Sequence, residues 1–359
     1  MSNDKKYFSK QLLHWNKMQN RRLMPWKGET DPYKIWLSEI ILQQTRVEQG
    51  WAYYDRFVAA YPDIKKLAGS PDQKIFKLWE GLGYYTRCKN LIATAKFISK
   101  ERKGIFPDTY EEIINLKGVG PYTAAAIASF AFNLPYAVVD GNVFRVLSRF
   151  FGIEVPTDGS AGKKLFTVLA QELLEKKKPG IYNQAIMDFG ALICKPQNPL
   201  CSNCTLNSKC AALVHNRVNL LPVKAGKLIK KHRWFNYFII EYEGKVYVRK
   251  RSAKDIWENL YEFILFETDQ LVSIEKIKAS DFLKNISGKN KVTISHVSKI
   301  YRQQLTHQTI QGVFVHIKLK NEPQLKGYKT VTYNKLNKLP FPKLITGYLS
   351  ENEWKKFER

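Results

Sequence analysis

The chain has 359 residues, room for two or three domains, and its 44% hydrophobic and 25% charged content excludes wholesale disorder. Lys and Arg number 58 against 32 Asp and Glu, a formal +26 that makes nucleic acid the leading expected partner, ahead of a plain basic surface or an anionic membrane. Met1 to Lys10 hold no apolar core of signal-peptide length, and no apolar run reaches the ~18 residues of a membrane span, so a soluble, cytoplasmic protein with no membrane partner is expected.

From Lys6 to about Ala212 the pattern predicts helix after helix. Asp31-Pro32 places a capping carboxylate before a proline at the first helical position, and helical period runs on to about Gln49. Ser70-Pro71-Asp72 and Pro107-Asp108-Thr109 start further helices, Thr123 to Ala131 reads as a buried alanine-rich helix, and Asp140 precedes another marked by Val143, Phe144, Val146 and Leu147. His215 to Arg233, with Pro222, Gly226 and little periodicity, reads as a linker. Beyond it the pattern turns β: two strands within Tyr237 to Lys250 around Glu243-Gly244, further strands at Val313 to Leu319 and Thr330 to Tyr333, and a closing helix within Phe341 to Leu349. An all-α domain of residues 1–214, a linker of 215–232 and a smaller α/β domain of 233–359 are therefore expected.

Cys194, Cys201, Cys204 and Cys210 are separated by six, two and five residues, with no histidine among them. Four sulfur ligands suit zinc or an iron–sulfur cluster, and a reducing compartment argues against disulfides. Zinc ribbons pair their cysteines as two C-x-x-C knuckles, and only Cys201/Cys204 has that form. The spacing is similar to the cluster loop of the endonuclease III-like glycosylases, and that resemblance implies a [4Fe–4S] cluster. Lys195 and Lys209 inside the loop suit phosphate contacts, and Cys88, standing apart, reads as inert packing.

Leu116-Lys117-Gly118-Val119-Gly120-Pro121-Tyr122-Thr123-Ala124 sets two glycines around one apolar residue before a helix. Glycine permits positive φ and close backbone approach, and a helix N-terminus offers free N–H groups to a DNA phosphate, so Gly118 and Gly120 are candidate DNA contacts. The segment resembles the helix–hairpin–helix of the same superfamily. Strand-cleaving members carry a Schiff-base lysine where Tyr122 stands. A phenol cannot form an imine, and Lys117 lies before the glycines, so base excision without strand cleavage is expected. Tyr122 is either packing at the helix start or in contact with the base.

Removing a base requires protonation of the leaving purine and stabilisation of positive charge on the sugar, tasks for one neutral and one ionised carboxyl. Glu39 shares a helical face with Ile35, Trp36 and Leu42, apolar company that raises a carboxyl pKa; the plain alternative is a surface glutamate. Asp140 follows Ala137-Val138-Val139 and should cap the next helix, a role compatible with staying ionised.

Trp36-Leu37-Ser38-Glu39-Ile40-Ile41-Leu42-Gln43-Gln44-Thr45 and Val139-Asp140-Gly141-Asn142-Val143 look like the two signature segments of the adenine DNA glycosylases. Pro25-Trp26, Gly81-Leu82-Gly83-Tyr84-Tyr85 and Asn183-Gln184-Ala185-Ile186-Met187-Asp188-Phe189-Gly190-Ala191 are similar too, and the resemblance covers nearly all of residues 8–212. It implies a helix–hairpin–helix glycosylase domain acting as a monomer on double-stranded DNA with A:8-oxoguanine or A:G mispairs, with flipping of the adenine as in other glycosylases. Glu39 would protonate adenine N7, Asp140 would support the oxocarbenium ion or its covalent adduct, and Asn142 would assist by hydrogen bonding before water completes hydrolysis. Gln44, with Thr45 beside it, Leu82 and Tyr84 fall where the family contacts and wedges the duplex. Lys27, directly after Pro25-Trp26, has no assigned role.

Residues about 230–359 resemble the family's Nudix-like recognition domain. Trp257-Glu258-Asn259-Leu260-Tyr261-Glu262-Phe263 is similar to its Trp-Gly-Gly-Leu-Trp-Glu-Phe run with both glycines replaced, and the clustered glutamates of Nudix hydrolases are missing, so no pyrophosphatase activity is expected. The family reads 8-oxoguanine through a Phe-Ser-His turn. Leu305-Thr306-His307 is its counterpart, leaving the Thr306 hydroxyl for the lesion, whereas Ser295-His296 sits in helical-looking surroundings. Competing readings are a thymine mismatch glycosylase, disfavoured by the Glu39 segment; an endonuclease III-like lyase, disfavoured by Tyr122; and an inactive DNA-binding scaffold, disfavoured by the presence of both carboxylates.

Overall fold

A computed structural model of the chain describes residues 3–226, 230–252, 255–287, 292–323 and 325–351. They fall into two units, Met1–Gly69 with Lys89–Gly226, and Ser70–Cys88 with Lys227–Arg359. No helix among the described residues is long and apolar enough to cross a membrane.

The first unit is helical: α1 (Asn3–Met18), α2 (Pro32–Leu42), α3 (Val47–Ala60) and α4 (Ile64–Gly69) precede α5 (Asp72–Trp79), which belongs to the second unit. The chain returns to the first unit within α6 (Tyr85–Glu101) and continues through α7 (Tyr110–Ile114), α8 (Pro121–Phe132), α9 (Gly141–Phe151), α10 (Ser160–Leu173), α11 (Pro179–Leu192) and the short α12 (Ala211–Val214). Local chemistry sets the starts. Asp31 accepts a hydrogen bond from the Tyr33 N–H (2.9 Å) with Pro32 in the first turn, Thr109 caps α7 through the Glu112 N–H, and Asp140 caps α9 through the Val143 N–H (2.8 Å). The expected helix to Gln49 is corrected: α2 stops at Leu42, Gln44 turns into the left-handed region (φ 55°), and α3 begins afresh at Val47. Such a φ in a non-glycine residue is held by its surroundings, and it leaves Gln44 exposed.

Phe8, Leu12 and Trp15 of α1 are buried among Phe150, Phe166, Tyr182 and Phe189, forming one core around α9, α10 and α11. Burial on this scale is the main favourable term in folding. Helices α9 and α11 approach closely at Gly190, where an added Cβ would lie 2.7 Å from the Asn142 Cβ. Part of the expected linker is tied to this unit: Arg149 Nε donates to the Leu221 carbonyl (3.0 Å), the Thr157 N–H to that of Val223 (3.1 Å), and the Ala225 N–H to Asp158 (2.9 Å). Residues 227–229 of the linker, and the ends of the expected domains at 1–2 and 352–359, lie outside the described residues.

The second unit is built on a mixed sheet of β1 (Lys231–Tyr242), β2 (Lys245–Lys250), β3 (Tyr261–Glu262), β4 (Ile264–Thr268), β5 (Thr293–Val297), β6 (Tyr301–Gln304), β7 (Gln308–Lys318) and β8 (Lys329–Thr332), with helices α13 (Ile274–Ala279), α14 (Asp281–Ser287), α15 (Tyr333–Leu336) and α16 (Lys343–Ser350). Strand β1 runs parallel to β7 and antiparallel to β2 and β4. Residues Phe235 to Ile240 are buried without alternation, the signature of a strand covered on both faces. Glu243 (φ 47°) and Gly244 (φ 68°) make the tight turn between β1 and β2. Ser295-His296 is not in a helix: both lie on β5, paired with β7. Helix α5 joins this unit through long-range contacts, the Glu80 carboxylate accepting from the Phe341 N–H (2.8 Å) and Lys77 donating to the Leu339 carbonyl (3.2 Å).

Candidate active site

The helical unit encloses a cavity of about 690 Å³ whose lining includes Glu39, Tyr122, Asp140 and Asn142. Glu39 projects from α2 with only 7% of its surface exposed. Burial pushes its carboxyl up to about 7, the neighbouring Tyr122 hydroxyl works against that, and the negative charge of Asp140 adds to the rise. Tyr122 enters from the first turn of α8, which packs on α2, and its own phenol is held well above its ordinary value by burial and by the two carboxylates. Met187 Sδ lies 3.5 Å from the same hydroxyl.

Asp140 differs in its partners. Oδ1 accepts from the Val143 N–H and Oδ2 from Asn142 Nδ2, each at 2.8 Å. Burial raises its carboxyl, while these bonds and the Arg145 guanidinium lower it. Two carboxyls thus share one cavity with unequal support for the charged form, as an acid and a charge stabiliser require. A chain of contacts continues beyond Asn142: Arg145 Nη2 donates to Asn142 Oδ1 (2.8 Å) and to the Gly190 carbonyl (2.7 Å), and its Nε to the Cys194 carbonyl (2.7 Å).

Cys194, Cys201, Cys204 and Cys210 are all free thiols lining one small cavity of about 30 Å³ together with Arg149. Arg149 Nη1 donates to Cys194 Sγ (3.5 Å) and the Leu206 N–H to Cys204 Sγ (3.4 Å). Among the described residues no three His, Cys, Asp or Glu side chains are gathered closely enough to hold a single metal ion. Four thiols facing one space, with N–H groups aimed at sulfur, are a donor set that fits a sulfur-ligated metal group.

The hairpin glycines differ. Gly118 has φ 83°, and an added Cβ would sit 2.7 Å from the Asn90 Cβ; Gly120 has an ordinary φ of −103° and open space around it. Positive φ is therefore required at Gly118 alone. Thr45 lines the Glu39 cavity, while Gln44 is exposed. In the second unit Leu82 is buried (5% exposed), whereas Tyr84 is 44% exposed. The Tyr84 hydroxyl hydrogen-bonds the Thr306 hydroxyl at the β6–β7 turn, and His307 beside it is exposed. Sequence reasoning missed Arg87, whose guanidinium lies 5.3 Å from the centres of both the Trp79 and Tyr84 rings. It also missed Asp188, for which one signal was available: a carboxylate among apolar neighbours on α11.

Residues 37–171 match the family described as HhH-GPD superfamily base excision DNA repair protein, and residues 236–351 match the NUDIX domain. The adenine DNA glycosylase of Buchnera aphidicola subsp. Baizongia pistaciae is 35% identical over 350 residues, 94% of this chain and 96% of that one. The chain belongs to the adenine DNA glycosylase family. It is therefore a base-excision repair enzyme that hydrolyses an N-glycosyl bond in DNA. The family's rat member is 42% identical over 59% of this chain and 42% of its own length. A thermostable thymine-DNA glycosylase of known structure aligns with a TM-score of 0.55 and 30% identity, covering 59% of this chain and 97% of that one. An endonuclease III–DNA complex, at TM-score 0.52 and 20% identity over 60% of this chain and 99% of that one, shares the helical fold.

Proposed function

We propose that the enzyme excises adenine mispaired with 8-oxoguanine or guanine in double-stranded DNA, as a monomer and without cutting the strand. The observation that carries the reading is Glu39, buried beside Tyr122 and facing Asp140 in one cavity, with its carboxyl raised to about 7. At neutral pH a large share of such a group is protonated, so it can donate to N7 of the departing purine. Burial raises the Asp140 carboxyl above its ordinary value, while Val143, Asn142 and Arg145 work toward the ionised form that would oppose the positive charge growing at the sugar. Asn142 keeps the Asp140 carboxylate oriented, and water completes hydrolysis. Tyr122 orients Glu39 and supplies no amine, which supports monofunctional chemistry.

Gly118 and Gly120 at the start of α8 would approach a phosphate. Gln44 and Thr45, with Tyr84, would contact the duplex, the buried Leu82 supporting the Tyr84 segment from beneath. Thr306 and His307 would meet the lesion, with Tyr84 presenting the Thr306 hydroxyl. Excision is assigned to residues 1–214 and lesion recognition to 233–359, joined by 215–232, with Ser70–Cys88 packing as part of the second unit. Cys194, Cys201, Cys204 and Cys210 would hold a [4Fe–4S] cluster, which when bound supplies a rigid cross-link of the loop and no acid–base step. The working location would be the cytoplasm, in association with the nucleoid.

Single-turnover excision on duplexes carrying A opposite 8-oxoguanine, A opposite G, T opposite G, and thymine glycol opposite A tests the reading. Adenine release fastest opposite 8-oxoguanine, with strands intact until alkali is added, is expected. Thymine release would transfer the assignment to the thymine glycosylases, and no release from any duplex would leave a DNA-binding scaffold.

A further inference from the structure

Asp188 is fully buried on α11, and the chemistry above gives it no part. Its carboxylate is nonetheless saturated with donors. Gln184, one turn earlier, donates to Oδ1 at 3.0 Å, and Arg22 Nη1 donates to the same oxygen at 2.9 Å. Asn20 Nδ2 donates to Oδ2 at 2.8 Å, and Lys27 Nζ at 3.2 Å. Lys27 also donates to the Arg22 carbonyl (2.9 Å), closing the cluster on itself.

Asn20, Arg22 and Lys27 all come from the segment between α1 and α2, which has no helix or strand of its own. That segment supplies a wall of the Glu39 cavity through Arg22, Met24, Trp26 and Lys27. One carboxylate on α11 therefore fastens to the helical core a wall whose own backbone is held by turn hydrogen bonds such as Lys27 N–H to the Met24 carbonyl (3.1 Å).

The charges give the arrangement a second consequence. Tyr122 and Asp140 face Glu39 directly, and Arg22, Lys27, Glu29 and Lys178 are the other charged residues on the lining. Glu29 is balanced by Lys34 at 3.2 Å and by the Thr30 and Asp31 N–H groups, and Lys178 is exposed to solvent. Arg22 and Lys27 are left, both paired with Asp188.

We propose that Asp188 is a positioning residue for excision: it pins the 20–27 segment as a wall of the Glu39 cavity and offsets one of the two positive charges that Arg22 and Lys27 bring to that wall. The inference rests on the reading of Glu39 as the acid. A cation without its counter-charge favours the ionised form of a nearby carboxyl. Removing the Asp188 charge lowers the pH at which Glu39 loses its proton, and excision, which needs that proton, fades earlier as pH rises. Removing Lys27 alone leaves Arg22 and Asp188 balanced, takes one positive charge from the wall and acts in the opposite direction.

The test is the pH profile of single-turnover adenine release from an A:8-oxoguanine duplex by the full chain, compared among wild type, Asp188→Asn, Lys27→Met and the double variant. Wild type should lose rate as pH rises through neutrality. Asp188→Asn should lose it about one pH unit lower, making it about tenfold slower on the alkaline side, while still binding the duplex. The double variant should recover part of that loss, and Lys27→Met alone should move the limb upward. An Asp188→Asn limb that stays in place, or a double variant no faster than Asp188→Asn, would overturn the proposal while leaving the role of Glu39 intact. If Asp188→Asn does not fold, Lys27→Met decides, since an unmoved or lowered limb contradicts the charge balance. A wild-type profile with no limb near neutrality would remove both the proposal and the Glu39 reading beneath it.

Discussion

The hydroxyl of Tyr122, in the first turn of α8, faces the carboxyl of Glu39 on α2 and holds the acid lower than burial alone would. A phenol thus occupies the cavity as a brake on the neighbouring carboxyl.

Tyr122→Phe removes that brake. The Glu39 pKa should rise, and the alkaline limb of the excision profile should move to higher pH with the acidic side little changed. A limb displaced downward would show that the hydroxyl does not act on Glu39 in the working enzyme.

Glu39→Gln should slow excision by about 10²–10⁴-fold with duplex binding retained, and it should also stabilise the fold. The sign follows from linkage: the folded carboxyl titrates near 7 and the unfolded one near 4.5, so ionising Glu39 costs stability as pH rises through that interval. The gain from Glu39→Gln should be absent at pH below the unfolded value and reach at most about 3 kcal/mol in alkaline buffer. Thermal unfolding of both proteins across pH checks it, and a melting difference independent of pH would count against the raised carboxyl.

Asp140→Asn separates capping from catalysis. Asparagine caps helices about as well as aspartate, so α9 should remain folded while excision falls sharply. Loss of stability by more than about 2 kcal/mol together with activity would mean that the charge serves the fold instead of the reaction.

Gly118→Ala and Gly120→Ala should part company. At Gly118 the positive φ and the Asn90 contact should cost about 1–3 kcal/mol and weaken DNA binding; at Gly120 the ordinary φ and open space should leave stability within about 1 kcal/mol of wild type. Duplex affinity measured beside the melting temperature then shows whether a Cβ at Gly120 obstructs the phosphate.

Thr306→Val keeps the shape of the side chain and removes the hydroxyl that meets Tyr84. Excision opposite 8-oxoguanine should fall by about tenfold while excision opposite guanine changes little, narrowing the preference between the two. Equal losses on both duplexes would place Thr306 in packing alone.

Much of this molecule was legible in the sequence because the relevant signals are local. Asp31-Pro32, Thr109 and Asp140 sit next to the N–H groups they cap, and Glu243-Gly244 turns within its own hairpin. The spacing of the four cysteines pointed to one loop, and all four line one small cavity. A reading by period also failed locally: it carried α2 through the left-handed Gln44, whose conformation no periodicity records.

Tertiary structure decided what depends on partners distant in the chain. The Gly118 conformation is matched to Asn90, the packing of Ser70–Cys88 with the second unit depends on contacts such as Glu80 to Phe341, and Ser295-His296 is a strand because β7 lies beside it. Asp188 meets Arg22 across 166 positions and Lys27 across 161. Residue types alone suggested that Glu39 could be an acid. Whether it is one depends on how completely α8 and α9 exclude water around it and on which charges face it, and both are properties of packing, because desolvation and Coulomb interaction depend on distance in space and not along the chain.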